Sequence, residues 1–158
     1  MLRTGIGFDA HALKEGRRLV IGGVCIPHSK GLQGHSDADV LVHAIMDAIL
    51  GALALGDIGE HFPNTEEFEG ADSLELLSHV QKMIEDKGFC CENIDSIIIA
   101  EKPKLKTYIL DMRKNLSSVL KINVDQLSIK ATTTEHLGFT GREEGIAAHA
   151  TVLLKSNN

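Results

Sequence analysis

The longest apolar run, Val40 to Leu55, most restricts the folds open to this chain. It is broken by His43 and Asp47, and it is too short to cross a bilayer, which takes about 20 consecutive apolar residues. The run is therefore expected to be a helix packed inside a folded domain. Ser36 or Asp37 can cap its start, and Gly56 can end it after Leu55. Its polar residues are not scattered: Asp39, His43 and Asp47 stand four apart and share one stripe of an otherwise apolar helix. A lone histidine there would read as a satisfied core residue. Flanking carboxylates instead favour a metal ligand, because such a histidine gives its second ring N–H to an acceptor. Asp39 or Asp47 could be that acceptor.

The remaining segments alternate between strand and helix patterns. Leu2 to Phe8 reads as a strand, and Arg18 to Ile26 as one or two short strands around Gly22-Gly23. Asp72, with Glu75 three residues on, starts a helix through Lys87, with Leu74, Leu77, Val80, Met83 and Ile84 as its buried stripe and Gly88 as its stop. Ile94 to Ala100 reads as a strand. Pro103 opens a third helix with Leu105, Ile109, Met112, Leu116 and Val119 inward. Leu127 to Thr133 and Ile146 to Leu154 complete the strands. Such alternation predicts an α/β or α+β sandwich, one sheet covered by helices. The chain has 158 residues and no linker, repeat or low-complexity stretch, which predicts one domain with a sizeable core.

Charge and cysteine usage exclude several classes. A net charge of −6 leaves no broad basic face for nucleic acid, although an anionic small substrate remains compatible with locally gathered positive charge. Lys102-Pro103-Lys104-Leu105-Lys106 and Arg142 are where it could gather; the alternative is that they are ordinary solvated residues. Cys25, Cys90 and Cys91 suit neither a disulfide framework nor a spaced thiolate zinc motif. A metal would have to use histidine and carboxylate. Met1 to Gly5 has no basic segment leading into an apolar run, so the expectation is a soluble, cytoplasmic protein that engages no membrane.

Asp9 and His11 directly follow the first expected strand and are two residues apart, so if the strand conformation carries through them their side chains leave on one face. With His43 they make three ligands for zinc, one short of a closed tetrahedron, the pattern of sites that keep a position open. Three further segments look chemical. Gly34-His35-Ser36-Asp37 precedes the first helix and is either a plain N-cap or an anion site. Gly56 to Thr65 is a long polar connection of a length that is more often functional than accidental. Thr132 to Arg142 leaves a strand with hydroxyls, a carboxylate and an arginine; the threonines are either just good strand formers or, with the carboxylate after them, a set suited to a second divalent cation and phosphate oxygens.

Seven ordered motifs carry a resemblance across essentially the whole chain: Asp9-Ala10-His11; Gly34-His35-Ser36-Asp37-Ala38-Asp39; Gly56-Asp57-Ile58-Gly59; Phe62-Pro63; Gly70-Ala71-Asp72-Ser73; Ala100-Glu101-Lys102-Pro103-Lys104-Leu105; and Lys130-Ala131-Thr132-Thr133-Thr134-Glu135 through Gly138-Phe139-Thr140-Gly141-Arg142. In these the chain resembles the 2-C-methyl-D-erythritol 2,4-cyclodiphosphate synthase family. Asn64 stands where the family often has Asp, and Ala38 where Gly is common.

The resemblance implies an α/β (α+β) fold with a four-stranded mixed sheet and helices on one face, assembled as a homotrimer with active sites between subunits. It implies conversion of 4-diphosphocytidyl-2-C-methyl-D-erythritol 2-phosphate to the cyclic diphosphate and CMP. Asp9, His11 and His43 resemble the zinc ligands, and Glu135 the holder of a magnesium or manganese ion. His35 and Thr133 match transition-state stabilisers. Ser36 matches a further substrate contact, as do Asp57, Ile58, Gly59, Phe62, Pro63, Asn64, Thr65 and Glu66 around the methylerythritol phosphate. Ala100, Glu101, Lys102, Pro103, Lys104, Leu105 and Lys106, with Thr132, Thr133 and Thr134, match the pocket for cytidine and its phosphates. Phe139 and Arg142 match the lining of a central cavity where some relatives hold an isoprenoid diphosphate. Two rivals use the same residues differently. A zinc-dependent phosphoesterase would direct a metal-bound hydroxide at an external ester. A non-catalytic trimeric binding module for nucleotide or isoprenoid diphosphate would need no open metal position.

Overall fold

The computed structural model describes residues 1–157, and its architecture follows from how the first strand meets the apolar helix. Strand β1 (Leu2–Glu15) alternates strictly, but its inward face carries Arg3, Gly5, Gly7, Asp9 and His11. The outward face carries Leu2, Ile6 and Phe8, all exposed. Helix α1 (Val40–Ala52) lies on that inward face with every residue but Asp47 and Gly51 buried. The two glycines permit the close approach. A Cβ on Gly5 would stand 1.9 Å from the Ala48 carbonyl oxygen, and one on Gly7 1.9 Å from that of Ala44.

Strands β2 (Leu19–Ile21) and β3 (Val24–Ile26) form a separate antiparallel hairpin, as the Gly22-Gly23 signal predicted. Strand β4 (Lys30–Leu32) pairs antiparallel with the end of β1. A short helix, α2 (Ile58–His61), and α3 (Ser73–Asp86) follow α1, and then β5 (Phe89–Ile99), α4 (Ile109–Leu120) and β6 (Leu127–Thr132). One turn of helix, α5 (Gly138–Gly141), precedes β7 (Gly145–Ser156). The main sheet runs β4-β1-β7-β5-β6, antiparallel except for β5 and β6, whose parallel pairing uses α4 as the crossover. The sheet is therefore mixed, as expected, but has five strands and not four. The extra strand, β4, is only three residues long and owes its existence to pairing, not to its own pattern.

The helices lie on one face: α1 on β1 and β7, α3 against α1 and β5, α4 against α3 and β6. Two strands run longer than expected, β1 on to Glu15 where Phe8 was the expected end and β5 from Phe89 where Ile94 was the expected start, and two helix starts and one buried stripe also differ. Helix α1 starts at Val40, because Ala38 is held at φ 56° in the left-handed region and Asp39 supplies the cap by accepting the Val42 N–H at 3.1 Å. That strained φ falls at the position where the resemblance has glycine as the common residue. The third helix starts at Ile109, not Pro103; residues 101–108 form a turn pinned by buried Leu105, whose carbonyl accepts the Tyr108 N–H at 2.9 Å. In α3 the buried stripe is centred on Leu76, Leu77, Val80 and Ile84, with Leu74 and Met83 only partly covered.

Gly7→Ala should lower stability by about 3 kcal/mol or more, since the added methyl meets rigid backbone. Gly51→Ala on the same helix has no neighbour closer than the Ile6 carbonyl oxygen at 3.9 Å and should gain about 0.5–1 kcal/mol. Urea unfolding midpoints of the two variants check this pair of opposite signs.

Candidate metal centre and substrate cavities

Pairing of β1 with β7 sets Asp9 opposite Ala148 and His11 opposite Ile146, so both side chains rise from the sheet toward α1. His43, in the first turns of α1, points down between them. Asp9 Oδ2 lies 2.7 Å from His11 Nε2 and 3.1 Å from His43 Nδ1, and the two nitrogens are 3.1 Å apart. A tetrahedral zinc ion bound at about 2.0–2.1 Å sets its ligand atoms roughly 3.3 Å apart. Among the described residues this is the one His/Cys/Asp/Glu group that converges in this way.

The donor set passes a second test of fit. His11 Nδ1 lies 2.8 Å from the Gln33 carbonyl oxygen, which can only accept, so Nδ1 carries a proton and in the neutral ring Nε2 offers its lone pair to the cluster. His43 Nε2 lies 3.0 Å from Ser73 Oγ and 3.3 Å from Ser36 Oγ, leaving Nδ1 toward the cluster. Asp39 and Asp47 are not the partners of His43. Asp39 is fully buried and accepts N–H groups from Gly22 at 2.9 Å, Gly23 at 2.8 Å and Val42, tying the β2–β3 hairpin to the start of α1. Burial pushes its carboxyl up to about 6 against those hydrogen bonds. Asp47 Oδ1 accepts the Ile58 N–H at 2.9 Å and positions α2; burial raises its pKa as well. Four-residue spacing brings these carboxylates near His43 in sequence, but their backbone acceptor roles turn them away.

Electrostatics inside the cluster are strong. Burial alone would raise the Asp9 carboxyl, but hydrogen bonds and charge from His11 and His43 outweigh it and hold the group well below the usual carboxylate range. Burial would lower His11, yet the Asp9 carboxylate outweighs it and holds the imidazole above its ordinary value of 6.5.

The cluster forms the floor of a cavity of about 260 Å³ lined also by Gly34, His35, Ser36, Ile58, Gly59, Phe62 and Asn64. Asp57 caps α2 by accepting the Glu60 N–H at 3.1 Å. Phe62 packs edge-on against Phe68, and the His35 ring is anchored through Nε2 to the Thr65 carbonyl oxygen at 2.6 Å. A second cavity, about 200 Å³, opens beyond the carboxyl ends of β5 and β6. Ala100, Glu101, Pro103, Lys104, Leu105, Lys106, Thr132 and Thr133 line it, whereas Lys102 pairs with Glu143 at 3.4 Å. Thr134 donates to the Leu137 carbonyl oxygen and thus braces its own turn. Glu135, at φ 52°, accepts from Thr133 Oγ1 at 3.3 Å and lies outside the histidine cluster. Phe139 lines a third cavity with Ala10 and His11, and Arg142 pairs with Glu144 at 2.9 Å. The first two cavities share no lining residue. Sequence reasoning passed over Gln33, whose backbone carbonyl leaves no sequence signal, and Ser73, which was visible only as part of Gly70 to Ser73.

A mixed α+β fold that brings two histidines and a carboxylate, a group able to hold a metal ion, together at the floor of a pocket has the architecture of a metal-dependent enzyme. Residues 2–155 match the model of the YgbB family, and the chain belongs to that family. It is 61% identical over 154 residues to the 2-C-methyl-D-erythritol 2,4-cyclodiphosphate synthase of Clostridioides difficile (strain 630), covering 97% of this chain and 96% of that one. The IspF structure of Plasmodium falciparum, a CDP complex, superposes with TM-score 0.88 at 36% identity over 99% of this chain and 97% of that chain. The bifunctional IspDF of Campylobacter jejuni superposes with TM-score 0.95 at 45% identity, over 99% of this chain but 42% of its own length.

Metal binding requires neutral imidazole, and the raised His11 pKa means that protons compete before the pH falls to 6.5. Apparent zinc affinity, read by chelator competition, should therefore fall steadily from about pH 8 to about pH 6. A flat profile over that range would contradict the assignment of His11 as a ligand.

Proposed function

We propose that residues 1–158 act as a single cyclodiphosphate synthase domain. It converts 4-diphosphocytidyl-2-C-methyl-D-erythritol 2-phosphate to 2-C-methyl-D-erythritol 2,4-cyclodiphosphate and CMP, for non-mevalonate isoprenoid precursor synthesis in the cytoplasm. The observation that carries the reading is the convergence of Asp9, His11 and His43 on one point beneath a pocket that holds His35, Ser36 and Asn64. The high identity to a synthase of that name along nearly its whole length supports the substrate. Among the described residues no helix is long and apolar enough to cross a membrane, which accords with a reaction of water-soluble phosphates.

In the reaction an oxygen of the substrate's 2-phosphate attacks the β-phosphorus. The bond from that phosphorus to the oxygen bridging to the α-phosphate breaks, and CMP leaves with it. Two anionic groups must meet, so the chain's task is positioning and charge stabilisation, without a protein nucleophile. Zinc held by Asp9, His11 and His43, and magnesium or manganese held by Glu135, would supply Lewis-acid charge neutralisation at the phosphate oxygens. His35 and Thr133 hydrogen-bond those oxygens as charge shifts between them. Asp57, Ile58, Gly59 and the Phe62–Glu66 segment enclose the methylerythritol phosphate, with Ser36 as a further contact. Ala100 to Lys106 and Thr132 to Thr134 hold the cytidine end.

The complete site is assembled between subunits of a homotrimer. Two observations support this: the metal cavity and the Lys104 cavity are separate within one chain, and the sheet face opposite the helices exposes Leu2, Ile6 and Phe8, with Ile6 72% exposed. Phe139 and Arg142 then line the central cavity, where an isoprenoid diphosphate can sit.

Incubation of the purified protein with the cytidyl substrate, zinc and magnesium, followed by phosphorus NMR, should yield cyclic diphosphate and CMP in equal amounts with no inorganic phosphate. Release of inorganic phosphate would favour a phosphoesterase, and CDP binding without turnover a binding module. His43→Ala should lower kcat/KM about 100-fold or more, and Thr133→Ala should act mainly on kcat. Sedimentation should give three times the 17.1 kDa chain mass.

A further inference from the structure

We propose that Asp37 and Ser73 are a positioning pair that fixes the tautomer and ring orientation of His43 and so tightens the three-ligand site for zinc. The inference rests on the reading of His43 as a metal ligand. Neither residue is among the metal ligands or substrate contacts assigned above.

Ser73 is the first residue of α3 and is fully buried. Its single hydroxyl proton goes to Asp37 Oδ1, and its backbone N–H donates to Asp37 Oδ2 at 3.0 Å. A carboxylate can only accept, so the direction of the hydroxyl is settled. The Ser73 oxygen therefore turns a lone pair to His43 Nε2, 3.0 Å away, and His43 must be the donor in that contact. A neutral imidazole carries one N–H and one lone pair. With the proton on Nε2, the lone pair is on Nδ1, facing Asp9 Oδ2 and His11 Nε2. The Asp37 charge thus decides, through one hydroxyl, which nitrogen of His43 is available.

Asp37 is itself held from several sides. Its N–H donates to the Ala71 carbonyl oxygen at 3.1 Å, and its Oδ1 also accepts the Asp39 N–H at 3.1 Å. The carboxylate joins the approach to α1 with the start of α3, so two helices, not one rotamer, determine where the His43 ring lies. It is not the main cap of α3, since Asp72 accepts the Leu74 N–H at 2.8 Å. Ser36 Oγ, the other oxygen near Nε2, lies at 3.3 Å, accepts the Ala38 N–H, and lines the substrate cavity. Without Ser73 the imidazole N–H would have only this partner on the substrate side. Outer partners of this kind change metal affinity about 10–100-fold when removed.

The test uses the full chain. Zinc affinity of wild type, Ser73→Ala and Asp37→Asn is measured by chelator competition at one pH, with cobalt-substituted absorption spectra and melting of the metal-free forms alongside. Ser73→Ala should bind zinc about 10–100-fold more weakly and shift the cobalt ligand-field bands, and Asp37→Asn should weaken binding in the same direction. If Ser73→Ala loses only thermal stability, with affinity and cobalt bands unchanged, the pair merely joins two helices and the proposal falls. Should the variants fail to fold, long-range proton–nitrogen NMR of the zinc-loaded wild type decides. A slowly exchanging His43 Nε2–H supports the pair, and a proton on Nδ1 overturns it. Wild type and His43→Ala binding zinc equally well is a different outcome, which removes the metal-ligand reading itself.

Discussion

The close approach of α1 to β1 is the contact on which the rest depends. Gly5 and Gly7 leave no side chain between strand and helix, and the helix backbone settles against the sheet at carbonyl-to-Cα distance. Two and four residues beyond Gly7 the same strand face carries Asp9 and His11, and the same helix carries His43. An ordinary helix–sheet spacing, with a methyl or isopropyl group in place of either glycine, would lift His43 away from its partners. Packing and chemistry are therefore one feature. The tightness that brings the imidazole within 3.1 Å of the carboxylate is set by what is missing from the strand.

The cost of that arrangement is a polar cluster inside an apolar shell. The cluster is stabilised because the polar atoms that face away from its centre have partners of the right kind: backbone carbonyl for His11, serine hydroxyl for His43, and three backbone N–H groups for the neighbouring Asp39. Buried polar groups are tolerated on this condition. The same rule explains why carboxylates at helical spacing from His43 serve elsewhere. Asp39 answers the hairpin and the helix N-terminus, and Asp47 answers the start of α2. Each is engaged by an N–H group that burial would otherwise leave unpaired.

Much of the architecture was legible because it is written in local pattern. The hairpin around Gly22-Gly23, the Asp72-capped α3, β5, β6 and β7 all follow from periodicity and caps acting over a few residues. What escaped was non-local. Strand β4 exists because Leu13 to Glu15 offer it an edge, and α1 begins late because Ala38 is bent into the left-handed region by surrounding contacts. The lysine run reads as a helix start from Pro103, yet tertiary burial of Leu105 makes it a turn and delays α4 to Ile109.

The order of the long strands and helices, the amphipathic faces, and the presence of Asp9, His11 and His43 on surfaces able to meet were fixed locally, since these follow from two- and four-residue spacing. Motif order further assigned the chain to its family. The tertiary structure decided which atoms converge, which ring nitrogens face the metal point, and that Gln33 and Ser73 set them. It also separated the cavity above the histidine cluster from the cavity beyond β5 and β6 within one chain. The physical reason is range: periodicity and capping act along neighbouring turns, whereas hydrogen-bond partners in a closed core are chosen by packing among segments here 22 to 34 residues apart.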